Sequence, residues 1–250
     1  MKIRDLNKGV QRYVRDKLKA LTILVSESRL PHRIQVNCSR DFLGSEYGGY
    51  CICPENIDKD SIVYSFGIGE DISFDLALIQ RFGLSVYAFD PTPRSIEWVK
   101  SQSIPCEFHF FKYGIADYDG TAKFYPPENS EHISHTLLYR EETSRGAINV
   151  NVYRLETILN MLGHNNVDIL KLDIEGSEFG VIEDIIDSSL NISQLLVEFH
   201  QRFEGVRSAE ARSAIIKLKK SGFRIFDIRN DNYSFIKDSR TSLITPAPKP

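Results

Sequence analysis

Three carboxylates, Asp173, Glu175 and Glu178, follow directly on the apolar run Val167-Asp-Ile-Leu-Lys-Leu172. Such a run reads as a buried strand that empties into a loop and then a helix, and in open α/β sheets ligands bind beyond the carboxyl ends of the strands. Carboxylates crowded there are costly unless something positive or proton-donating meets them. A second acid–base set lies at Glu198 and His200, two residues apart at the end of another apolar run and so on one side of a strand. A carboxylate beside a histidine orients it and raises its basicity. Asp173, Glu198 and His200 together also make an oxygen-rich set with one imidazole, suited to magnesium or manganese. Glu175 reads as a loop anchor, and Glu178 as an acid in a first helical turn, where a carboxylate is favourable in any case. Lys171, alternating with Leu170 and Leu172, is expected to be buried and to need a carboxylate partner.

Upstream, Val63-Tyr-Ser-Phe-Gly-Ile-Gly-Glu-Asp71 is a strand running into a turn with Gly67 and Gly69. Glycine lets the backbone turn sharply and approach a ligand closely. The next strand ends in Phe89-Asp90-Pro91, where an acid can accept hydrogen bonds from both hydroxyls of an adenosine ribose. A nicotinamide dinucleotide would want a third glycine and a helix N-terminus facing its pyrophosphate. Here Glu70 and Asp71 stand in that turn and would repel a diphosphate, whereas they suit the positive sulfonium and amino groups of S-adenosylmethionine. A tight turn with no ligand is the structural alternative.

The elements that must position these residues alternate. Strands are predicted at 62–66, 85–89, 107–111, 167–172, 195–199, 224–227 and 233–236, and helices at 72–82, 93–101, 155–162, 178–187 and 209–220. This rhythm predicts a mostly parallel sheet with helices on both faces. The hairpin signal Asn230-Asp231-Asn232 makes the last strand antiparallel. Residues 1–60 divide into an amphipathic helix over 1–30, with a basic outer face, and a turn-rich strand pair or cap around 41–54. The catalytic unit is expected over 61–237, with an aperiodic insertion at 126–147 that could form a lid. The Pro-rich end, 238–250, is expected to be disordered. His132 and His135 in the insertion could touch an acceptor, while Trp98, Cys106, Tyr64 and Tyr87 read as packing.

The chain of 250 residues is 42% hydrophobic and 26% charged, an ordinary globular balance. A formal net charge of −3 argues against a phosphate-tracking surface, so no nucleic-acid partner is expected. Cys38, Cys51, Cys53 and Cys106 do not form a metal-ligand spacing or a disulfide framework and are read as reduced. No apolar run approaches a membrane span, and the basic start lacks an apolar core, so a cytoplasmic protein is expected.

Ala88-Phe-Asp-Pro-Thr-Pro93, Gly114-Ile-Ala-Asp-Tyr-Asp-Gly-Thr-Ala-Lys-Phe124, Val152-Tyr-Arg-Leu-Glu-Thr-Ile-Leu159, Asp168-Ile-Leu-Lys-Leu-Asp-Ile-Glu-Gly-Ser-Glu178 and Leu196-Val-Glu-Phe-His200 form an ordered series. Together they resemble the FkbM-type family of S-adenosylmethionine-dependent methyltransferases, over roughly residues 61–237. The resemblance implies a Rossmann-like methyltransferase fold with a seven-stranded sheet. The N-terminal helix read from the apolar spacing of residues 1–30 would be a cap that covers the crevice or forms a homodimer contact. It implies that Gly67 and Gly69 line the methionine and ribose part of the cofactor. Asp90, with Pro91 after it, holds the ribose, and Ile115, Ala116 and Asp117 border the adenine. Asp173 stands at the methyl-transfer site. Members usually carry an acid where Ser65 sits and a glycine near Asp71, so Glu70 or Asp71 is expected to supply the missing carboxylate.

The acceptor implied is a hydroxyl on a sugar, glycan or secondary metabolite, with N-methylation an alternative. Its proton would go to His200 or Asp173, with the other of the two as partner and Glu198 orienting the histidine, or the hydroxyl would be acidified by a metal held on Asp173, Glu198 and His200. A cofactor-binding scaffold without catalysis and a nicotinamide-dependent oxidoreductase are the other two readings.

Overall fold

The computed structural model describes residues 33–126, 146–200, 208–237 and 245–246. The expected N-terminal helix over 1–30, and His132 and His135 with most of the 126–147 insertion, lie outside the described residues.

A seven-stranded sheet forms the centre. In chain order its strands are β4 (Ile62–Phe66), β5 (Ser85–Phe89), β6 (Phe108–Phe111), β10 (Val167–Leu172), β11 (Ile192–Glu198), β12 (Phe223–Arg229) and β13 (Asn232–Lys237). In space they run β12-β13-β11-β10-β4-β5-β6. All neighbours are parallel except β13, which is antiparallel to both β11 and β12. The chain therefore starts in the middle at β4, builds outward to β6, and crosses back to β10 on the other side of β4. That reversal opens a crevice between the ends of β4 and β10.

Helices α1 (Ser73–Phe82), α2 (Pro93–Ser101), α3 (Leu155–Leu162), α4 (Glu178–Asp187) and α5 (Ser208–Lys220) connect the strands. Alternation along the strands sorts the core into two faces. Tyr64, Phe66, Leu170, Leu172, Leu195 and Val197 pack with the apolar stripes of α3, α4 and α5. Val63, Val86, Ile169 and Leu196 pack instead with Phe74 and Leu78 of α1. Both α1 and α3 stop where a glycine takes a left-handed conformation, Gly83 at φ 68° and Gly163 at φ 72°.

The turn-rich segment near 41–54 is a hairpin of β2 (Asp41–Leu43) and β3 (Tyr50–Ile52), antiparallel and laid on the α1 face of the sheet. The side chain of Gln194 bonds both the N–H and the carbonyl of Cys53, and Ser234 Oγ donates to the Cys51 carbonyl, so the hairpin is tied to β11 and β13.

Two features depart from the sequence expectations. A second, three-stranded sheet of β7 (Gly114–Ile115), β8 (Gly120–Phe124) and β9 (Ile148–Tyr153) stands beside the main one. Ile148-Asn-Val-Asn-Val-Tyr153 alternates apolar and polar residues, a strand signal that β8 pairing completes. Within the Pro-rich end, Thr245–Pro246 (β14) pairs antiparallel with Val36–Asn37 (β1), so this part of the end is not disordered. Among the described residues no helix is long and apolar enough to cross a membrane.

Candidate active site

The turn after β4 lies directly on the turn after β10. Gly67 has φ 74°, and a Cβ there would fall 1.6 Å from the Asp173 carbonyl oxygen, so no other residue fits without moving one of the two turns. The Gly67 N–H donates to the Phe89 carbonyl, which binds this turn to β5 as well. Gly69 also has a positive φ, 53°, but its Cβ would meet open space. Its N–H donates to Asp90 Oδ2 at 3.0 Å.

Asp90 is buried, and its other oxygen accepts from the Thr92 N–H at 2.9 Å and the Thr92 hydroxyl at 2.7 Å. The carboxylate thus ties the glycine turn to the start of α2, with lone pairs still available on Oδ2. Pro91 packs against Gly114 at the start of β7, which brings buried Ile115 and Ala116 to the same rim. Ala116, Asp117, Tyr118, Ser177 and Gly180 line a cavity of about 360 Å³ there. Gly180 leaves room for Asp117, since a Cβ at that position would come within 3.1 Å of its carboxylate.

The two carboxylates expected to replace an acid at position 65 are engaged elsewhere. Glu70 pairs with Arg94 at 2.7 Å on the surface. Asp71 accepts from the Ser45 hydroxyl at 2.6 Å and from the Ser73 N–H at 2.8 Å, joining the hairpin to the first turn of α1. Burial raises its pKa, but these hydrogen bonds outweigh that and hold the carboxyl below its ordinary value. Ser65 itself is fully buried, with its hydroxyl unpartnered.

On the other side of the crevice the structure assembles Asp173, Glu175, Glu178 and Glu198 around His200. Glu178 is fully buried and accepts the His200 Nδ1–H at 2.8 Å. The same carboxylate accepts the backbone N–H groups of Gly176, 3.1 Å to each oxygen, and of Ile174 at 3.3 Å. It therefore shapes the 173–177 loop, in which Glu175 takes φ 55° and Gly176 φ 98°. His200 Nε2 then faces Glu175 at 3.3 Å, Asp173 at 3.7 Å and Glu198 at 4.0 Å. Burial opposes a charge on the imidazole, yet Glu178, Glu175 and Asp173 push its pKa up to about 10. His200 is a cation at neutral pH. Burial, then the charge of Asp173, pushes the Glu198 carboxyl up to about 7.

Sequence reasoning therefore misread Glu178. The carboxylate that orients His200 comes from α4, not from the neighbour Glu198 on the strand. Its position in a first helical turn concealed this, and the only signal was the closeness of an acid to the strand-end loop.

Lys171 meets the expectation of a buried lysine with partners. It is 4% exposed, donates to the Gly67 carbonyl at 2.8 Å, and lies 3.5 Å from Asp173 Oδ2 and 5.2 Å from the centre of the Tyr50 ring. Tyr50, whose hydroxyl donates to Asp173 Oδ2 at 3.3 Å, belongs to the hairpin and had no sequence signal. Partial desolvation and then the charges of Asp173, Glu175 and Glu198 raise the phenol of Tyr47, whose ring is exposed.

A glycine turn resting on a cluster of ionisable side chains is an arrangement a group-transfer enzyme can use, and the comparisons with known proteins decide which kind. Residues 62–225 match the methyltransferase FkbM domain. The chain belongs to the FkbM methyltransferase family. Its matched domain is accordingly an S-adenosylmethionine-dependent methyltransferase domain, and this removes the nicotinamide reading. Probable methyltransferase-like protein 24 of Homo sapiens is 25% identical over 185 residues, 70% of this chain. The Rattus norvegicus protein of that name is 26% identical over 183 residues, 69% of this chain. The FkbM chain spans 44% of the length of each. Among solved structures, the Methanococcus jannaschii fibrillarin pre-rRNA processing protein aligns over 80% of this chain and 83% of its own, at 10% identity and a TM-score of 0.40. An rRNA methylase from Streptococcus thermophilus aligns over 73% and 90%, at 14% identity and a TM-score of 0.39.

Proposed function

We propose that this chain methylates a hydroxyl oxygen of a sugar, a glycan or a secondary metabolite, with S-adenosylmethionine as donor. One observation carries the reading: the Gly67 turn and Asp173 touch at the point where the strand order reverses, so a cofactor on that turn has its methyl group beside the acid cluster. In the transfer, the carbon–sulfur bond breaks as the carbon–oxygen bond forms, and the hydroxyl proton must leave. Gly67, Gly69 and Asp90 hold the methionine and ribose parts. Ser65, Asp71 and Pro91 support the turn and the strand end beneath them. Ile115, Ala116 and Asp117 border the adenine, beside the 360 Å³ cavity.

Asp173 orients the acceptor hydroxyl. Glu198 receives the proton, since it is the most exposed carboxylate of the cluster at 34% and its pKa of about 7 suits the task. His200, with Nδ1 tied to Glu178, balances the negative charge that collects there. The exposed Tyr47 ring supports a sugar as acceptor, because an aromatic face packs on the C–H face of a pyranose.

A specific observation also favours a metal-assisted form. Asp173, Glu198 and His200 bring ligand atoms within 4.8 Å of one another, and Glu178 is placed as the outer partner that fixes the imidazole. With the His200 Nε2 proton released, these residues fit a divalent cation such as magnesium or manganese, which would acidify the acceptor hydroxyl.

Calorimetric titration with S-adenosylhomocysteine and with NAD tests the donor. Binding of the first alone, lost in Asp90→Ala, is the expected result, and binding of NAD alone would end the proposal. Transfer of a labelled methyl group to a panel of sugars tests the acceptor. Retained biological activity in Asp173→Asn and Glu198→Gln would point instead to a non-catalytic scaffold. Manganese bound in the paramagnetic resonance spectrum of the wild type, and not of Asp173→Asn, would establish the metal-assisted form.

A further inference from the structure

Directly beneath the glycine turn lies a polar group that none of the chemistry above employs. Asp75, in the first turn of α1, is 1% exposed, and its Oδ1 has no hydrogen-bond partner. The Ser65 hydroxyl is equally buried and equally unpartnered. Ser65 stands opposite Lys171 in the register of β4 and β10, and alternation turns both toward the sheet face that α1 covers. Lys171 directs its ammonium to the carbonyl oxygens of Gly67, at 2.8 Å, and Phe66, at 3.4 Å, with Asp173 Oδ2 at 3.5 Å. Those two carbonyls belong to the turn on which the cofactor is placed. Burial pushes the Asp75 carboxyl up to about 6, while the charge of Lys171 and the nearby Ser65 hydroxyl favour its ionised form.

A fully buried carboxylate with one oxygen left unpartnered is destabilising, and an asparagine of the same shape would avoid most of that penalty. An acid in a first helical turn is favourable in itself, but Asp75, between Phe74 and Leu78 that pack into the core, is fully buried there. Glu70 and Asp71, both nearer the turn, are held by Arg94 and by Ser45 with Ser73. Asp71 and Asp75 both lie in the field of Lys171, and of the acids in α1 and the turn before it only Asp75 is fully buried.

We infer that Asp75 is a positioning residue of the cofactor site: from α1 it adds a second negative charge that, opposite Asp173, holds Lys171 under the Gly67 turn, and through Lys171 it sets the shape of that turn and the environment of Asp173. The carboxylate is kept for binding, at the expense of the stability of the free protein. This rests on S-adenosylmethionine being the ligand of the turn.

The test is the affinity for S-adenosylhomocysteine, read by calorimetry beside the melting temperature of the free protein. Asp75→Asn melts at or above the wild-type temperature and binds about tenfold more weakly or worse, the scale of one lost charge-assisted contact. Returning the charge from the strand, in the double variant Asp75→Asn with Ser65→Asp, restores most of the affinity. Should that double variant not fold, Lys171→Met in wild-type and Asp75→Asn backgrounds replaces it. The second substitution then adds little to the first if the two residues act together. Unchanged affinity in Asp75→Asn overturns the inference, and so does a loss that neither the returned charge nor the cycle links to Lys171. A wild type that fails to bind S-adenosylhomocysteine removes the proposed function as well, whereas equal binding by wild type and Asp75→Asn removes only this inference.

Discussion

Glu178 illustrates how much one buried side chain can organise. Its two oxygens receive the imidazole of His200 and the backbone of the 173–177 loop, so the acid fixes that imidazole and the strand-end turn together. Glu178→Gln keeps the shape but removes the charge that His200 opposes. It is expected to cost about 1–3 kcal/mol in urea unfolding, the usual result of leaving buried polar groups poorly satisfied. An unchanged midpoint would mean that the loop holds itself. Asp75 gives the pH dependence at this scale. Its pKa rises from an ordinary 3.8 to about 6, so the fold prefers the protonated form. That contribution is complete below pH 3.8 and is lost as the pH rises through 6. Melting temperatures between pH 4 and 6.5 should therefore contain a falling component that Asp75→Asn lacks, and parallel profiles in the two proteins would show that Asp75 does not titrate there.

Among the elements, the two glycines of the first turn make a paired experiment. Gly67→Ala must push a methyl group into the Asp173 carbonyl, since the Cβ would lie at 1.6 Å. Gly69→Ala meets open space and bears only the left-handed backbone cost of about 1–2 kcal/mol. Calorimetry and thermal melts should find the first variant strongly destabilised and unable to bind S-adenosylhomocysteine. The second should be folded and only modestly less stable. Equal behaviour would mean that the contact between the β4 and β10 turns does not constrain the site. The hairpin of β2 and β3 acts at the same level. By tying Ser45 to Asp71 and delivering Tyr50 to Asp173, it closes one side of the crevice with a segment far away in sequence.

For the molecule as a whole, the sheet with a hydrophobic cluster on each face carries the crevice at its strand ends, so ligand and fold should be linked by mass action. S-adenosylhomocysteine at a hundred times its dissociation constant is expected to stabilise the protein by about 2.7 kcal/mol, visible as a rise in melting temperature. NAD at the same concentration should leave the transition where it is. A rise with NAD and none with S-adenosylhomocysteine would contradict the donor assigned above.

The order of strands and helices and the antiparallel last strand were legible in the sequence, because hydrophobic periodicity and turn residues are local. Gly67, Asp90 and Asp173 were legible too, since each ends a recognisable strand. The partnerships were not. That Glu178 rather than Glu198 holds His200, that Asp71 serves the hairpin, and that Asp75 underlies Lys171 depend on which strand ends and helix turns the topology sets against each other. The pairing of Thr245–Pro246 with Val36–Asn37 and of Gly114–Ile115 with Val152–Tyr153 is likewise a matter of distant segments. A sequence fixes what each residue can offer as donor, acceptor or charge. Only packing brings the complementary group within the few ångströms over which such an offer has an energetic effect.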